Sequence, residues 1–459
     1  MTTSLSIEKE CSLDAISVFS SLRSSFDGEC FLLESVEGTR KSARYSFVGV
    51  GQVSQFKSIG NKIEIGGQTA TVPDPYGALR SYFKSLRSGA SEVAPFSGGM
   101  VGYLGYGMVN QFDGIPMPPM DGETLPDMHF MVPEHLVCLD HLNSRTFLVS
   151  HGKMTDLKDA LSKARPVPPS NLKISSGRSS VSQTQFERMV STAKDEILDG
   201  EIFQVVLSRS SDFTVDGDPL EMYRTLRALN PSPYMFYLDF GKVKLLGSSP
   251  EMLVRLEGNR LTTRPLAGTR PRSPDIEDDE KLKNELLLDE KERAEHLMLV
   301  DLHRNDMGRV SKYGTVKVTE LMEIEKYSHV QHIVSNVESE IRPDADGFSA
   351  LRSCFPAGTV TGAPKIRAME IISDLEGSHR GLYAGTVGYF DFTGNMDFAI
   401  TIRSIVVNGN HARLQAGAGI VADSVPEREF AETEHKMGAT LEALESGNPR
   451  RRDHAHLTR

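Results

Sequence analysis

The 459-residue chain contains no tryptophan and only four cysteines, Cys11, Cys30, Cys138 and Cys354, far apart and without CxxC spacing. That scarcity excludes a disulfide framework and a structural zinc cluster, and it suits a reducing, cytoplasmic setting. Long apolar runs are also missing, so no membrane span is expected. The first residues, MTTSLSIEKE, carry early acids and no apolar core, so no signal peptide is expected either. Positive charge is in short supply: 51 Lys and Arg against 62 Asp and Glu leave a net charge of −11. Broad nucleic-acid binding, which depends on phosphate neutralisation, is disfavoured. A small anion in a local basic pocket is still allowed. No internal repeat is visible.

What remains is the composition of an ordinary soluble globular protein, long enough for a substantial core and for two or three domains. The first part, residues 1–163, reads as short strands and turns, with FLLESVEG, YSFVGVG and NKIEIGGQTATV broken by glycine. PYGALRSYFKSLRSG has helical periodicity. Ser97 to Met108 alternates glycine with apolar residues, a pattern of strands whose backbones approach closely. Residues 164–183 shift to Pro, Ser and Gly and read as a linker or surface loop. Residues 184–446 hold longer elements: a helix at Gln185 to Leu198, one long acidic helix at Asp278 to Val300, several strands, and a helix from about Val425 to Glu445. Ser424 and Glu427 make a capping-box pattern before that last helix. Residues 447–459 read as a polar tail. Strands in runs with long helices between them indicate an α+β fold.

Two glutamate pairs, Glu292/Glu295 and Glu429/Glu432, have i,i+3 spacing, which puts each pair on one helix face. Such faces meeting across a cleft could hold a hard divalent cation through oxygen ligands; separate solvated acidic faces are the other option, and spacing alone favours it. GTVTGAPK resembles a phosphate loop but has Ile366 where a Walker motif needs Ser or Thr. QAGAGIVADS reads as a strand entering a Gly-Ala-Gly turn, either an anion-binding nest or a plain tight turn. Arg403, inside the apolar strand-like FAITIRSIVV, must find an anion, structural or a bound carboxylate. His332 sits in an apolar strand-like stretch, where a satisfied core histidine is the commoner outcome. Cys354 lacks the setting of a nucleophile and reads as buried and inert.

LLES (from Leu32), NPSPYMFYL, GSSPEMLVR, RPLAGTRPR, KERAEHLMLVDLHRND, FPAGTVTGAPK, QAGAGIVADSVPE and ETEHK occur in that order from Leu32 to about Glu445. Together they resemble the chorismate-utilising enzymes, and among them the large subunits (component I) of anthranilate synthases. The resemblance implies large antiparallel β-sheets packed as a sandwich with helices outside. It implies Mg2+ held by Glu295 and Glu432, with Glu292 and Glu429 as second carboxylates, and chorismate contacts at Gly268, Thr269, Tyr383, Arg403, Gly417, Ala418, Gly419 and Lys436. Glu251 matches a general acid, His332 a histidine needed to complete the reaction, and Gln204 and Thr361 further catalytic positions. Relatives forming 4-amino-4-deoxychorismate have a lysine where this chain has Ala267; isochorismate and salicylate synthases have one where it has Gln204. Both differences favour ammonia adding at C2. Ser35, Pro233, Tyr234 and Met235 match a regulatory tryptophan site. The implied partner is a glutamine amidotransferase subunit, in a heterotetramer. Absence of tryptophan would suit a protein that helps make it, though drift explains it equally well. The rival readings are an aminodeoxychorismate synthase, an enzyme stopping at the 2-amino intermediate, and an inactive tryptophan-sensing subunit.

Overall fold

The structure, a computed structural model, describes residues 3–9, 13–36, 44–86, 93–118, 125–175, 177–327 and 330–446. Cys11 and the polar tail lie outside these. All recorded strand pairings are antiparallel, and the ladder folds back on itself into two layers. One layer runs through Gln204–Asp216, His411–Ile420, Ser404–Asn408, Val243–Ser249, Tyr234–Phe240 and Cys30–Glu34. The other runs through Gly99–Leu104, Thr386–Asp391, Met396–Ile400, Met252–Glu257, Arg260–Thr263 and Val330–Glu340. The long strands Tyr45–Ile59 and Met128–Asp140 join them, with a register shift between Gln52 and Ser54. A bulge of this kind bends a strand and increases its twist.

The interior of the sandwich is the core that contains Phe31, Phe236, Leu238 and Leu245 from one layer and Val101, Tyr103, Val387 and Tyr389 from the other. These strands share no ladder across the gap, so apolar burial holds the layers together, roughly 1.5–3 kcal/mol for each large side chain. Helices cover the outer faces. Ala15–Arg23 and Leu220–Leu229 cover one; Pro75–Leu86 and Gly347–Cys354 cover the other. The sandwich with external helices therefore stands as expected. Segments before and after residues 164–183 are interleaved: Cys30–Glu34 pairs with Tyr234–Phe240, and Gly99–Leu104 with Thr386–Asp391. Gly102 faces Gly388 there, and a Cβ on Gly102 would stand 2.0 Å from the His129 carbonyl, which is why this stretch alternates glycine.

Several elements differ from the sequence reading. The stretch 164–183 includes two short strands, Lys173–Ile174 and Arg178–Ser179, both paired with Gln204–Asp216. The following helix starts at Gln183, because Ser182 and Gln185 form a reciprocal capping box. The long acidic helix is two helices, Ile276–Leu288 and Glu290–Gly308. Asp289 separates them: its carboxylate accepts from the Lys291 and Glu292 amides, an N-cap that competes with helix continuation. Arg403 lies in a break between strands, with φ of +48°, and not inside one. Gly417-Ala418-Gly419 is no turn; it lies within the strand His411–Ile420, opposite Ser208, Leu207 and Val206. The last helix is Pro426–Ser446, and the Ser424 hydroxyl before it turns back to accept from the Val421 amide.

Candidate active site

The helix break at Asp289 positions the first acid pair. It starts a fresh helix, so Glu292 and Glu295 fall in its first two turns, near the positive end of the helix dipole. Glu429 and Glu432 occupy the equivalent place in Pro426–Ser446. The two helices bring the pairs together: Glu295 is held above the usual carboxylate range by burial, and the nearby Glu292 and Glu432 charges push the same way. Burial and Glu432 likewise raise Glu429. Arg270 binds Glu292, and Lys436 binds Glu432 at 2.6 Å, a pair that is half exposed.

The remaining residues close a ring of contacts. Gln204, buried, donates from Nε2 to Glu295 Oε1 at 2.7 Å. Opposite it, a Cβ on Gly419 would stand 2.8 Å from that same Nε2, and one on Gly417 would stand 2.7 Å from the Tyr383 hydroxyl. These glycines are strand positions where two side chains lie on the backbone. Lys436 donates to the Gly417 carbonyl at 2.9 Å. Ala418, between them, is fully buried in a core under the helices Gln183–Leu198 and Lys365–Glu376. Against Glu292, Gly268 and Thr269 form a bulge between Ala267 and Arg270 in the Leu266–Pro271 strand, where a Cβ on Gly268 would stand 3.0 Å from Glu292 Oε2. Gly268 has φ of +64°, a left-handed conformation natural to glycine.

Three buried polar atoms there have no partner: Glu251 Oε1, His332 Nε2 and Gln204 Oε1. Burial pushes the Glu251 carboxyl up to about 8, so it stays protonated at neutral pH. His332 is pushed down to about 4 by burial, with the Arg403 charge acting in the same direction. Its Nδ1 lies 2.9 Å from the Gly268 carbonyl. A carbonyl only accepts, so Nδ1 carries the hydrogen and Nε2 presents a bare lone pair. Arg403 keeps an exposed side chain although protein surrounds it closely enough to lower its pKa, and its charge is felt by both Glu251 and His332. Among the described residues no carboxylate pairs with it, so the anion expected for it is not supplied by the protein. The Thr361 hydroxyl donates to the Ala357 carbonyl at 2.8 Å.

Among the described residues, no three His, Cys, Asp or Glu side chains converge as a ready-made metal cage. Mg2+ does not require one, since it binds through one or two carboxylates and keeps several waters or substrate oxygens. Crowded carboxylates that raise one another's pKa are what such a cation would neutralise, so the residues fit it. Lys365, the lysine of the phosphate-loop-like segment, is instead buried against Asp306 at 2.6 Å. Cys354 is buried and its thiol is pushed up to about 12, hence inert.

Sequence reasoning missed Arg380. It ion-pairs with Glu376, donates to the Val360 and Val206 carbonyls, and lies over the Tyr383 and Tyr106 rings at 5.6 and 4.8 Å. Its only advance signal was the Glu376–Arg380 spacing. A cavity of about 240 Å³ gathers Ser35, Pro233, Tyr234 and Met235 in the interior between the layers. Arg255, Asp397 and Tyr389 share its walls.

Residues 28–442 match the family of chorismate binding enzymes, and the chain belongs to that family. Within it, the chain is 45% identical over 444 residues to anthranilate synthase component 1 of Acetivibrio thermocellus, covering 91% of this chain and 90% of that one. It is also 45% identical over 426 residues to the protein of that name from Thermus thermophilus, covering 90% and 92%. The crystal structure of anthranilate synthase component I from Streptococcus pneumoniae superposes with a TM-score of 0.78 at 37% identity, covering 87% of this chain and 92% of that one. The menaquinone-specific isochorismate synthase of Escherichia coli shares the fold, with a TM-score of 0.74 at 22% identity over 96% and 95% of the two chains.

Proposed function

We propose that this chain is the chorismate-converting component of an anthranilate synthase, joining chorismate and ammonia to give anthranilate and pyruvate, as the first step of tryptophan biosynthesis. The observation that carries the reading is Arg403: a guanidinium in no ion pair among the described residues, close enough for its charge to act on a protonated carboxylic acid, Glu251, and a neutral histidine, His332. That set suits an anionic substrate that must lose a hydroxyl and then a proton.

Arg403, Tyr383 and the Gly417–Gly419 strand hold the enolpyruvyl carboxylate, with Gly268 and Thr269 beneath the ring and Lys436 beside the ring carboxylate. Glu295 and Glu432, supported by Glu292 and Glu429, would hold Mg2+, which when bound supplies positive charge to the ring carboxylate and favours departure of the C4 hydroxyl. Glu251 gives its proton to that hydroxyl, which leaves as water while ammonia bonds to C2 and the ring double bonds shift. Nε2 of His332 then takes the C2 proton, the C3–O bond breaks with its electron pair going to oxygen, and the side chain leaves as enolpyruvate, which takes up a proton at its methylene carbon to become pyruvate. The tautomer fixed by Gly268 suits His332 to the role of base. Gln204 is a neutral amide already committed to Glu295, so it is poorly suited to activate water, and Ala267 supplies no amine; both favour ammonia as nucleophile. Thr361, its hydroxyl hydrogen committed, can act only as an acceptor.

Ammonia comes from a glutamine amidotransferase partner in a cytoplasmic heterotetramer, and tryptophan occupying the cavity of Ser35, Pro233, Tyr234 and Met235 inhibits the reaction. No described helix is long and apolar enough to cross a membrane. The deciding experiment is mass identification of the product from chorismate, Mg2+ and ammonium, with and without tryptophan. Anthranilate and pyruvate are expected. A product retaining its enolpyruvyl group would establish an aminodeoxychorismate synthase or an enzyme stopping at the 2-amino stage, and no turnover would leave a sensing subunit.

A further inference from the structure

Tyr327, the residue after the strand Lys317–Lys326, anchors a chain of contacts that the reaction scheme does not use. Tyr327 is buried, and its ring packs on the His332 ring with centroids 5.8 Å apart. Its hydroxyl donates to Glu325 Oε2 at 2.7 Å, and Glu325 Oε1 accepts from Arg264 at 2.7 Å. The backbone is fixed as well. The Tyr327 amide donates to the Val330 carbonyl at 2.8 Å, and its own carbonyl accepts from Arg272 at 2.7 Å. Arg272 is in turn anchored by Asp279.

His332 itself is held at its Nδ1 end only, where Nδ1 meets the Gly268 carbonyl at 2.9 Å and lies 3.1 Å from the Thr269 hydroxyl. Contacts gathered at one nitrogen fix its position but leave the opposite edge of the ring without a polar anchor. The aim of Nε2, which has no partner of its own, must come from packing. Tyr327 supplies that packing, and every polar group of Tyr327 named above is tied to something else. We infer that Tyr327 is a positioning residue for His332, held in place by Glu325 and Arg264, and that it sets the aim of Nε2 during loss of the C2 proton. The inference rests on the reading of His332 as the base of the second stage.

This role has a readout that simple scaffolding lacks. Misdirecting Nε2 slows the second stage and spares the first, so the ammonia adduct that keeps its enolpyruvyl group escapes before pyruvate leaves. The experiment measures, by mass spectrometry with chorismate, Mg2+ and ammonium, the ratio of that adduct to anthranilate. It compares the unaltered protein with His332→Asn, Tyr327→Ala, Tyr327→Phe and Glu325→Gln. Tyr327→Ala is expected to raise the ratio by about tenfold to a hundredfold, with the KM for chorismate unchanged within about twofold. Tyr327→Phe keeps the ring and loses the hydroxyl anchor, and it and Glu325→Gln shift the ratio less, in the same direction. If His332→Asn raises the ratio and none of the Tyr327 and Glu325 variants does, the positioning role is wrong while the base stands. If His332→Asn leaves the ratio unchanged, both fall. Tyr327→Ala could lose its fold; Tyr327→Phe and Glu325→Gln then decide, and loss of turnover in both without a change in ratio overturns the inference.

Discussion

The candidate active site and the cavity around Ser35 are built on opposite principles. In the candidate active site, buried polar atoms are left without partners, notably Glu251 Oε1, His332 Nε2 and Gln204 Oε1, and among the described residues Arg403 forms no ion pair, although Glu251 lies near it. Around Ser35 the charges are spent on each other. Arg255 pairs with Asp397 at 2.6 Å, and the Tyr234 hydroxyl joins both at 3.1 Å. Glu34 takes Arg227 and the Tyr223 hydroxyl. Unsatisfied buried groups cost folding free energy, on the order of 1–3 kcal/mol each. Such a cost is retained where a bound molecule will take up the unused hydrogen bonds. A network already satisfied works differently: it shapes a pocket, and a ligand can alter its arrangement.

The sharpest way to break this contrast is to remove the acids proposed to hold Mg2+. Glu295→Gln or Glu432→Gln should cut turnover by about a thousandfold, with circular dichroism and melting temperature little changed. Chelation by EDTA should do the same to the unaltered protein, with recovery on adding Mg2+. Full metal-dependent turnover in both variants would remove these acids from the mechanism.

Glu251→Gln is the next largest. An amide cannot give a proton to a leaving hydroxyl, so turnover should fall by about a hundredfold to ten-thousandfold. The pH profile follows the same group. Glu251 acts in its protonated form, so activity measured at constant free NH3 should decline as pH rises through about 8. Stability has the same sign. The folded protein holds this proton up to about 8 and the unfolded chain releases it near 4.5, so between these values rising pH favours unfolding. A flat activity profile across that window would mean another group donates.

Much of this contrast was readable from the chain before folding was considered. The α+β class followed from strands in runs and the sandwich from the family resemblance, while i,i+3 spacing picked out the acid pairs without showing that they meet. The tie between Gln204 and Glu295 was not readable, because it joins residues 91 apart. Nor was the helix break: Asp289 looks like one more acid in an acidic helix, and only its hydrogen bonds to the next turn reveal a cap. Gly417-Ala418-Gly419 was read as a turn because glycine usually marks one. Here it marks the close approach of Tyr383 and Gln204 to a strand, a tertiary fact with no local signature. Arg403 was expected inside a strand, but its left-handed backbone breaks the strand that its neighbours suggest.

The smallest effect tests the comparison most directly, because it reverses a sign. Glu251→Gln removes a group whose ionisation the fold resists, so at pH 8 and above it should stabilise the protein, by a few kcal/mol at most, while destroying activity. Tyr234→Phe removes a hydroxyl that is already paired with Asp397 and Arg255. It should destabilise the protein by about 1 kcal/mol and weaken tryptophan inhibition more than turnover. Thermal melts of both variants at pH 8, beside inhibition curves, check the pair. Melting shifts of the same sign would show that the two sites manage their buried polar groups alike. Opposite signs would mean that stability is given up at the site where chemistry needs unspent groups, and kept at the site that only has to recognise a ligand.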